Sequence, residues 1–167
     1  MGKSEENLKA AFAGESQANR KYLAFAKKAD KEGLANVARL FRAAAESETV
    51  HALSHLNVLG GIKGTAENLQ EAIDGETHEF TEMYPKMIKE AEAEGNSQAK
   101  MSFNGANEAE KLHADFYKKA LEAVESGKDI EAGEFFVCQV CGHTVKGSPP
   151  ENCPVCGVPK EKFKKTE

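Results

Sequence analysis

Four alanine- and glutamate-rich stretches each put a glutamate on the face that must turn away from water, and this constrains the chain more than any other feature. Residues 4–126 read as four helices, rich in alanine, glutamate, lysine and leucine and with few breaks. The expected segments are 4–32, 34–59, 66–94 and 96–126. Gly33 and Gly95 are expected C-caps, and Gly60, Gly61 and Gly64 mark a third break. Pro85, lacking an N–H, predicts a kink in the third helix.

On the first helix Leu8, Phe12, Tyr22, Phe25 and Ala29 recur with helical period, and Glu15 lies in their stripe. On the second, Leu34, Val37, Phe41, Ala45 and Leu56 enclose Glu48 and His51. On the third, Leu69, Ala72, Met83 and Met87 enclose Glu76 and Glu79. On the fourth, Phe103, Ala106, Tyr117 and Leu121 enclose Glu110 and His113.

A buried carboxylate without a partner is strongly unfavourable. Arg20, Arg39 and Arg42 can neutralise one or two of these glutamates, not all. Divalent metal meets the deficit. In Glu48-x-x-His51 and Glu110-x-x-His113 the two residues share a helical face, so one ion can take an oxygen and a nitrogen from a single turn. Two such helices, plus one glutamate from each of two others, match the template of di-iron or di-manganese carboxylate bundles. Alone, a Glu-x-x-His is usually a solvated pair; two copies in register carry the argument. His55 and His78 lack that support and read as water-facing or supporting groups, and Glu46 and Glu108 as surface charges.

The register comes from an internal repeat. Residues 27–33 parallel 89–95, and 46–52 parallel 108–114. Gly14-Glu15 parallels Gly75-Glu76, while Tyr22 parallels Tyr84 one residue out of step. Two related hairpins therefore make the bundle. Both tyrosines follow a glutamate by about two turns, as core aromatics, as hydrogen-bond donors to ligand carboxylates, or as both. Glu79 has no counterpart, because Ala18 stands in its place, and it supplies a spare carboxylate.

All four cysteines fall between Cys138 and Cys156, as Cys138-x-x-Cys141 and Cys153-x-x-Cys156. Such clustering reads as one metal site, not a disulfide scaffold. Four thiolates in a tetrahedron select zinc or iron, and spacing does not choose between them. The neighbouring bundle favours iron, since a redox site benefits from a one-electron donor. The segment carrying them also holds the strand-like run Phe135-Phe136-Val137. It is too short to fold on buried area alone and needs its metal. Expected domains are therefore 1–129, an all-α four-helix bundle matching the ferritin-like di-iron or di-manganese template, and 134–167, a small cysteine metal module, joined through Ser126-Gly127-Lys128-Asp129.

The net charge of −5 is spread along the chain, which argues against a nucleic-acid surface. No apolar run approaches the roughly 20 residues that span a bilayer. The first eight residues are polar, so a cytoplasmic protein is expected.

The chain resembles the rubrerythrins along nearly its whole length. The matching stretches are Ala13-Gly14-Glu15-Ser16-Gln17-Ala18, both Glu-x-x-His-Ala motifs, Gly75-Glu76 with Glu79, Thr81-Glu82-Met83-Tyr84-Pro85, and Cys153-Pro154-Val155-Cys156-Gly157. The resemblance implies two irons in the bundle, bridged by Glu48 and Glu110, with Glu15 and Glu76 as terminal ligands and His113 holding one iron. His51 and Glu79 would exchange at the other iron as its oxidation state changes; these two, with Tyr22 and Tyr84, are the expected participants in catalysis. Cys138, Cys141, Cys153 and Cys156 would hold a single iron in a rubredoxin-like domain, with zinc as the other possibility. The implied activity is reduction of hydrogen peroxide to water in oxidative-stress protection. Electrons would come from a reduced pyridine nucleotide through a separate reductase or rubredoxin.

One departure bears on assembly. Ferritin-like bundles carry a long crossover between the second and third helices. Here six residues, Gly60 to Thr65, span at most about 20 Å, against helices of about 40 Å. A domain-swapped homodimer reconciles this linker with the repeated ligand set: Glu15, Glu48 and His51 from one chain would meet Glu76, Glu79, Glu110 and His113 of the other. The rival functions are a ferroxidase or iron-storage protein, a non-enzymatic zinc scaffold and, more weakly, an oxygen-activating hydroxylase.

Overall fold

The computed structural model describes residues 2–166. Met1 and Glu167, the outer limits of the two expected domains, lie outside the described residues. The helices are α1 (Lys3–Lys31), α2 (Ala35–Val58), α3 (Thr65–His78), α4 (Tyr84–Ala93) and α5 (Ser97–Glu125). Three short strands follow, so the chain has the all-α, ferritin-like class with a small C-terminal metal module. The chain divides into two compact units between Lys63 and Gly64.

The glycine stops work as their positions imply. After α1, the N–H of Gly33 donates to the Asp30 carbonyl at 3.0 Å and that of Leu34 to the Ala29 carbonyl at 2.9 Å. Gly33 reaches φ 76°, a left-handed value that a side chain resists. Gly95 repeats this after α4, where its N–H donates to Glu92 and that of Asn96 to Ala91.

The first unit is the α1–α2 hairpin, and its buried face agrees with the expected one at Ala29 and Ala45 but not at the large apolar residues. Ala26, Ala29, Ala38, Ala45 and Ala52 are buried, with Asn19 among them. Asn19 Nδ2 donates to the Ala45 carbonyl at 2.7 Å and to Thr49 Oγ1 at 2.8 Å, so this buried amide is satisfied. Phe25, Leu34 and Val37, expected in the core, are exposed, as are Leu40, Val50 and Leu53. The reason is geometric: helices that meet through alanine bring their backbones close, and a hairpin has only one inner face. The large side chains therefore flank it. Phe41 stays half-buried and joins Tyr22 and Phe25 in an aromatic cluster, with centroids 5.5–6.3 Å apart.

In the second unit, α3 and α4 pack on α5, which starts where the Asn96 side chain accepts the Ala99 N–H at 3.0 Å. The third expected helix is not one kinked α-helix. A π turn, Glu79–Met83, separates α3 from α4. Seven positions separate Glu15 from Tyr22, but eight separate Glu76 from Tyr84. The repeat is out of step there because one additional residue is absorbed as a wider turn. The widening falls where the Pro85 ring would otherwise press on the carbonyl four residues back.

The C-terminal module is a three-stranded antiparallel sheet. β1 (Phe135–Cys138) lies between β2 (Thr144–Lys146) and β3 (Phe163–Lys165). Its buried residues include Cys138, His143 and Cys153. Phe116 of α5 meets the Phe135 ring edge-on at 5.7 Å. No helix among the described residues is long and apolar enough to cross a membrane.

The alanine contact gives a direct test. Ala45→Leu should destabilise the chain by about 1–3 kcal/mol through overpacking. Ala43→Leu, on the exposed side of α2, should stay within about 0.5 kcal/mol in denaturant unfolding.

Candidate metal centre

Heptad-spaced alanines fix the face of α2 that meets α1, and Glu48 and His51 follow on its flank. Glu15, Glu48 and His51 bring one ligand atom each within 4.8 Å of one another. His51 Nδ1 lies 2.8 Å from Glu48 Oε2. His51 was expected to point inward, yet its side chain is 52% exposed. The physical reason is the one given for Phe25: it lies off the alanine seam.

The second unit builds the matching set from α3 and α5. Glu76, Glu110 and His113 also offer ligand atoms within 4.8 Å of one another, and all three are half-buried. His113 Nδ1 lies 2.7 Å from Glu110 Oε2 and 3.6 Å from Glu76 Oε1. The six residues thus form two triads, one in each unit, each combining an upstream glutamate with a Glu-x-x-His pair.

Glu79 lies outside its triad, at the first residue of the π turn, but close enough to feel it. Burial raises its carboxyl above the usual range, and the charge of Glu76 adds to this. Burial, then a hydrogen bond to Glu110 and that residue's charge, push Glu76 up to about 7. Burial also raises Glu110. Burial and then the charges of Glu79, Glu110 and Glu76 raise the Tyr84 phenol. Tyr22 is placed differently, its ring contacts being Phe25 and Phe41.

Tyr117, read from sequence only as core, belongs to this surrounding. Burial raises its phenol, with Glu76 and Glu110 adding. The missed signal was spacing, since Tyr117 follows Glu110 by seven residues, as Tyr22 follows Glu15. Thr144 was missed as well: its Oγ1 lies 2.9 Å from His113 Nε2. No periodicity links residues that far apart in the chain.

None of Glu15, Glu48, Glu76, Glu79 or Glu110 is paired with lysine or arginine among the described residues. Arg42 instead bonds Asp30, and Arg39 bonds Asn36. Three carboxyls crowd one imidazole in the second unit, a donor set short of positive charge. The residues present fit a divalent ion.

The four cysteines fit one too. Cys138 and Cys156 Sγ are 3.7 Å apart, and Cys141 and Cys153 Sγ 3.6 Å, too long for disulfides. Metal–sulfur bonds of about 2.3 Å make a tetrahedron with edges of about 3.8 Å. Burial opposes ionisation of Cys138, but N–H groups of Cys141 and Val140 outweigh it and bring the thiol down to about 7. Cys141 is pushed well up by burial, with the neighbouring cysteines adding, so this thiol resists ionising without a cation.

Paired carboxylate–histidine triads on helical hairpins, joined to a four-cysteine centre, define a metalloprotein with two kinds of metal centre, of the helical carboxylate type. Residues 6–121 match the rubrerythrin family model, and residues 136–164 match the rubredoxin-like domain of rubrerythrin. Rubrerythrin-2 of Clostridium acetobutylicum is 39% identical, covering 93% of this chain and 92% of its own length. Nigerythrin of Nitratidesulfovibrio vulgaris is 37% identical, covering 98% and 86%. A solved structure of nigerythrin in a mixed-valent state aligns over 99% of this chain and 88% of its own, with a TM-score of 0.56 and 36% identity. Another, fully reduced and all ferrous, gives 0.57 at 35% identity. The chain belongs to the rubrerythrin family. Its cofactors are accordingly two iron ions in the helical part and one at the cysteines.

Titration of Glu76 has a sign that can be checked. Between pH 4.5 and about 7 the folded metal-free chain keeps a proton that the unfolded chain has lost, so its stability falls as pH rises across that window. Metal must displace this proton. Cobalt(II) affinity of the helical site should therefore rise with pH up to about 7 and then level off. Calorimetry in buffers of different ionisation enthalpy should show proton release below that pH.

Proposed function

We propose that the chain is a peroxide reductase of oxidative-stress protection. The observation that carries this reading is that the four-cysteine module packs on α5, the helix that also bears Glu110 and His113. A one-electron centre thus sits against a carboxylate–histidine site. Iron storage or ferroxidation gives such a module no clear task.

When bound, two ferrous ions in the helical site would supply the two electrons needed to convert hydrogen peroxide and two protons into two waters, and the cysteine iron would be a one-electron source for their replacement. The chain's own residues bind the ions and manage protons. Glu15, Glu48 and His51, with Glu76, Glu110 and His113, are assigned as ligands. Glu48 and Glu110 would be shared by the two ions, and Glu15 and Glu76 would each serve one of them. Glu79, beside its triad, and His51, exposed on its own, would be the two residues that exchange at one ion as its oxidation state changes. Tyr84 stays protonated at neutral pH beside the glutamates and can donate a hydrogen bond to peroxide; we add Tyr117 to that role and give Tyr22 the corresponding place near Glu15.

The two triads lie in hairpins joined by a short linker, and the α1–α2 hairpin exposes His51 and several large apolar side chains. Those features support a domain-swapped homodimer in which the triad of one chain meets that of another. The bundle domain is assigned to 1–129 and the cysteine domain to 134–167. Electrons come from a reduced pyridine nucleotide through a separate reductase or a rubredoxin, and the protein works in the cytoplasm.

The reading is tested anaerobically. In the fully reduced, iron-loaded protein, one equivalent of peroxide should oxidise the helical irons first and the cysteine iron afterwards in stopped-flow absorption. Helical irons that stay ferrous would sink the reading. Sedimentation should give a dimer, and a monomer retaining both helical irons would refute the swap.

A further inference from the structure

The four-cysteine module packs on α5, and besides the Phe116–Phe135 ring pair two contacts bear on the helical ligands. At the first, Gly105 is buried, and a Cβ added there would lie 3.1 Å from Cys141 Cβ and 3.4 Å from its carbonyl oxygen. The helix thus carries no side chain where the first cysteine knuckle comes in. At the second, about two turns along the same face, His113 Nε2 lies 2.9 Å from Thr144 Oγ1. Thr144 stands three residues beyond Cys141, at the start of β2.

These contacts bear on how His113 can act. A neutral imidazole has one protonated and one bare nitrogen, and only the bare one binds a metal. His113 Nδ1 faces Glu110 and Glu76, so it is the nitrogen on the ligand side. Nε2 must then carry the proton, and Thr144 Oγ1 lies in place to accept it. The threonine hydroxyl hydrogen is directed onward, to the Gly142 carbonyl at 3.2 Å. Gly142 adjoins Cys141, and its own N–H donates to the Cys138 carbonyl at 3.0 Å. A continuous run of hydrogen bonds therefore joins a helical ligand to the backbone of the first cysteine knuckle.

His51 gives the internal comparison. It has the same motif and the same Nδ1 contact to its glutamate, at 2.8 Å. Its Nε2 has no hydrogen-bond partner among the described residues, and its side chain is 52% exposed against 28% for His113. Two histidines equivalent by repeat are held unequally, and the difference is made by a residue outside the repeat.

We propose that Thr144 is a positioning residue for the helical metal site, holding His113 in its Nε2–H tautomer and tying that ligand to the four-cysteine module. The proposal rests on the reading that the Glu76–Glu110–His113 triad binds metal. It means that the small domain also completes the support of a helical ligand, so its attachment is felt by the helical metal in the same chain. It also explains why His113, not His51, can stay fixed while its surroundings change.

The test uses the full-length protein. In the wild type with zinc at both centres, 15N shifts should show His113 protonated at Nε2 and metal-bound at Nδ1. A His113 bound through Nε2 would overturn the proposal, whatever the variants do. Cobalt(II) titration then compares variants at the helical site, read from its visible spectrum. Thr144→Val should weaken binding there about 10–100-fold, the usual cost of losing a ligand's hydrogen-bond partner. Thr144→Ser should bind within about threefold of wild type, and the absorption of the cysteine site should be the same in all three. Equal affinity in the valine variant and the wild type would overturn the proposal while leaving the metal reading intact. A wild type that takes up no cobalt in its helices would instead overturn the metal reading itself.

Discussion

The structure depends on an excess of carboxylate over cation in the middle of its helices. Glu76, Glu110 and Glu79 crowd one imidazole, with no lysine or arginine paired to them among the described residues. Helical packing by itself favours removing such groups, since each carboxyl must give up water or its charge. Without metal the second triad meets the conflict by keeping a proton on Glu76. With metal the carboxylates can ionise and the ion takes the place of the missing cation. Retention of these residues on an inner face is intelligible only if ion binding is what the fold is arranged to do.

The two halves of the repeat reach this end by different routes. The first hairpin is closed by alanines and a satisfied asparagine, and it leaves His51 in water. The second takes in an additional residue as a π turn, which begins at Glu79 and ends next to Tyr84. It also receives a contact from outside the repeat, through Thr144. An ancestral symmetry is visible in the ligands and lost in their surroundings. The two histidines are therefore held differently, His51 exposed and His113 half-buried against Thr144.

Much of this was legible in the sequence. The helix ends were, because glycines at Gly33 and Gly95 meet a backbone need that other residues resist. The four cysteines were, because two knuckles define a tetrahedral ligand set. The inner face of α2 was read correctly at Ala45 but misjudged at Leu34 and Val37, because periodicity ranks large apolar residues above alanine, whereas close helix approach selects alanine. The π turn was half visible, as the single-residue slip between Tyr22 and Tyr84, but a slip does not say which turn absorbs it. The Thr144 contact was invisible, because it depends on how a separately folded segment is laid against α5, and no local pattern encodes that.

The central claim is most directly tested by the thermal stability of protein whose cysteine site is filled while its helical site is stripped and then reloaded anaerobically with ferrous ion. The unfolding temperature should rise as two ions bind per chain, with a gain of about 2.7 kcal/mol from each site when free iron stands a hundredfold above its dissociation constant. A stripped protein as stable as the reloaded one, or a gain that saturates with no iron bound among the helices, would contradict the claim that captured cations hold these carboxylates in place.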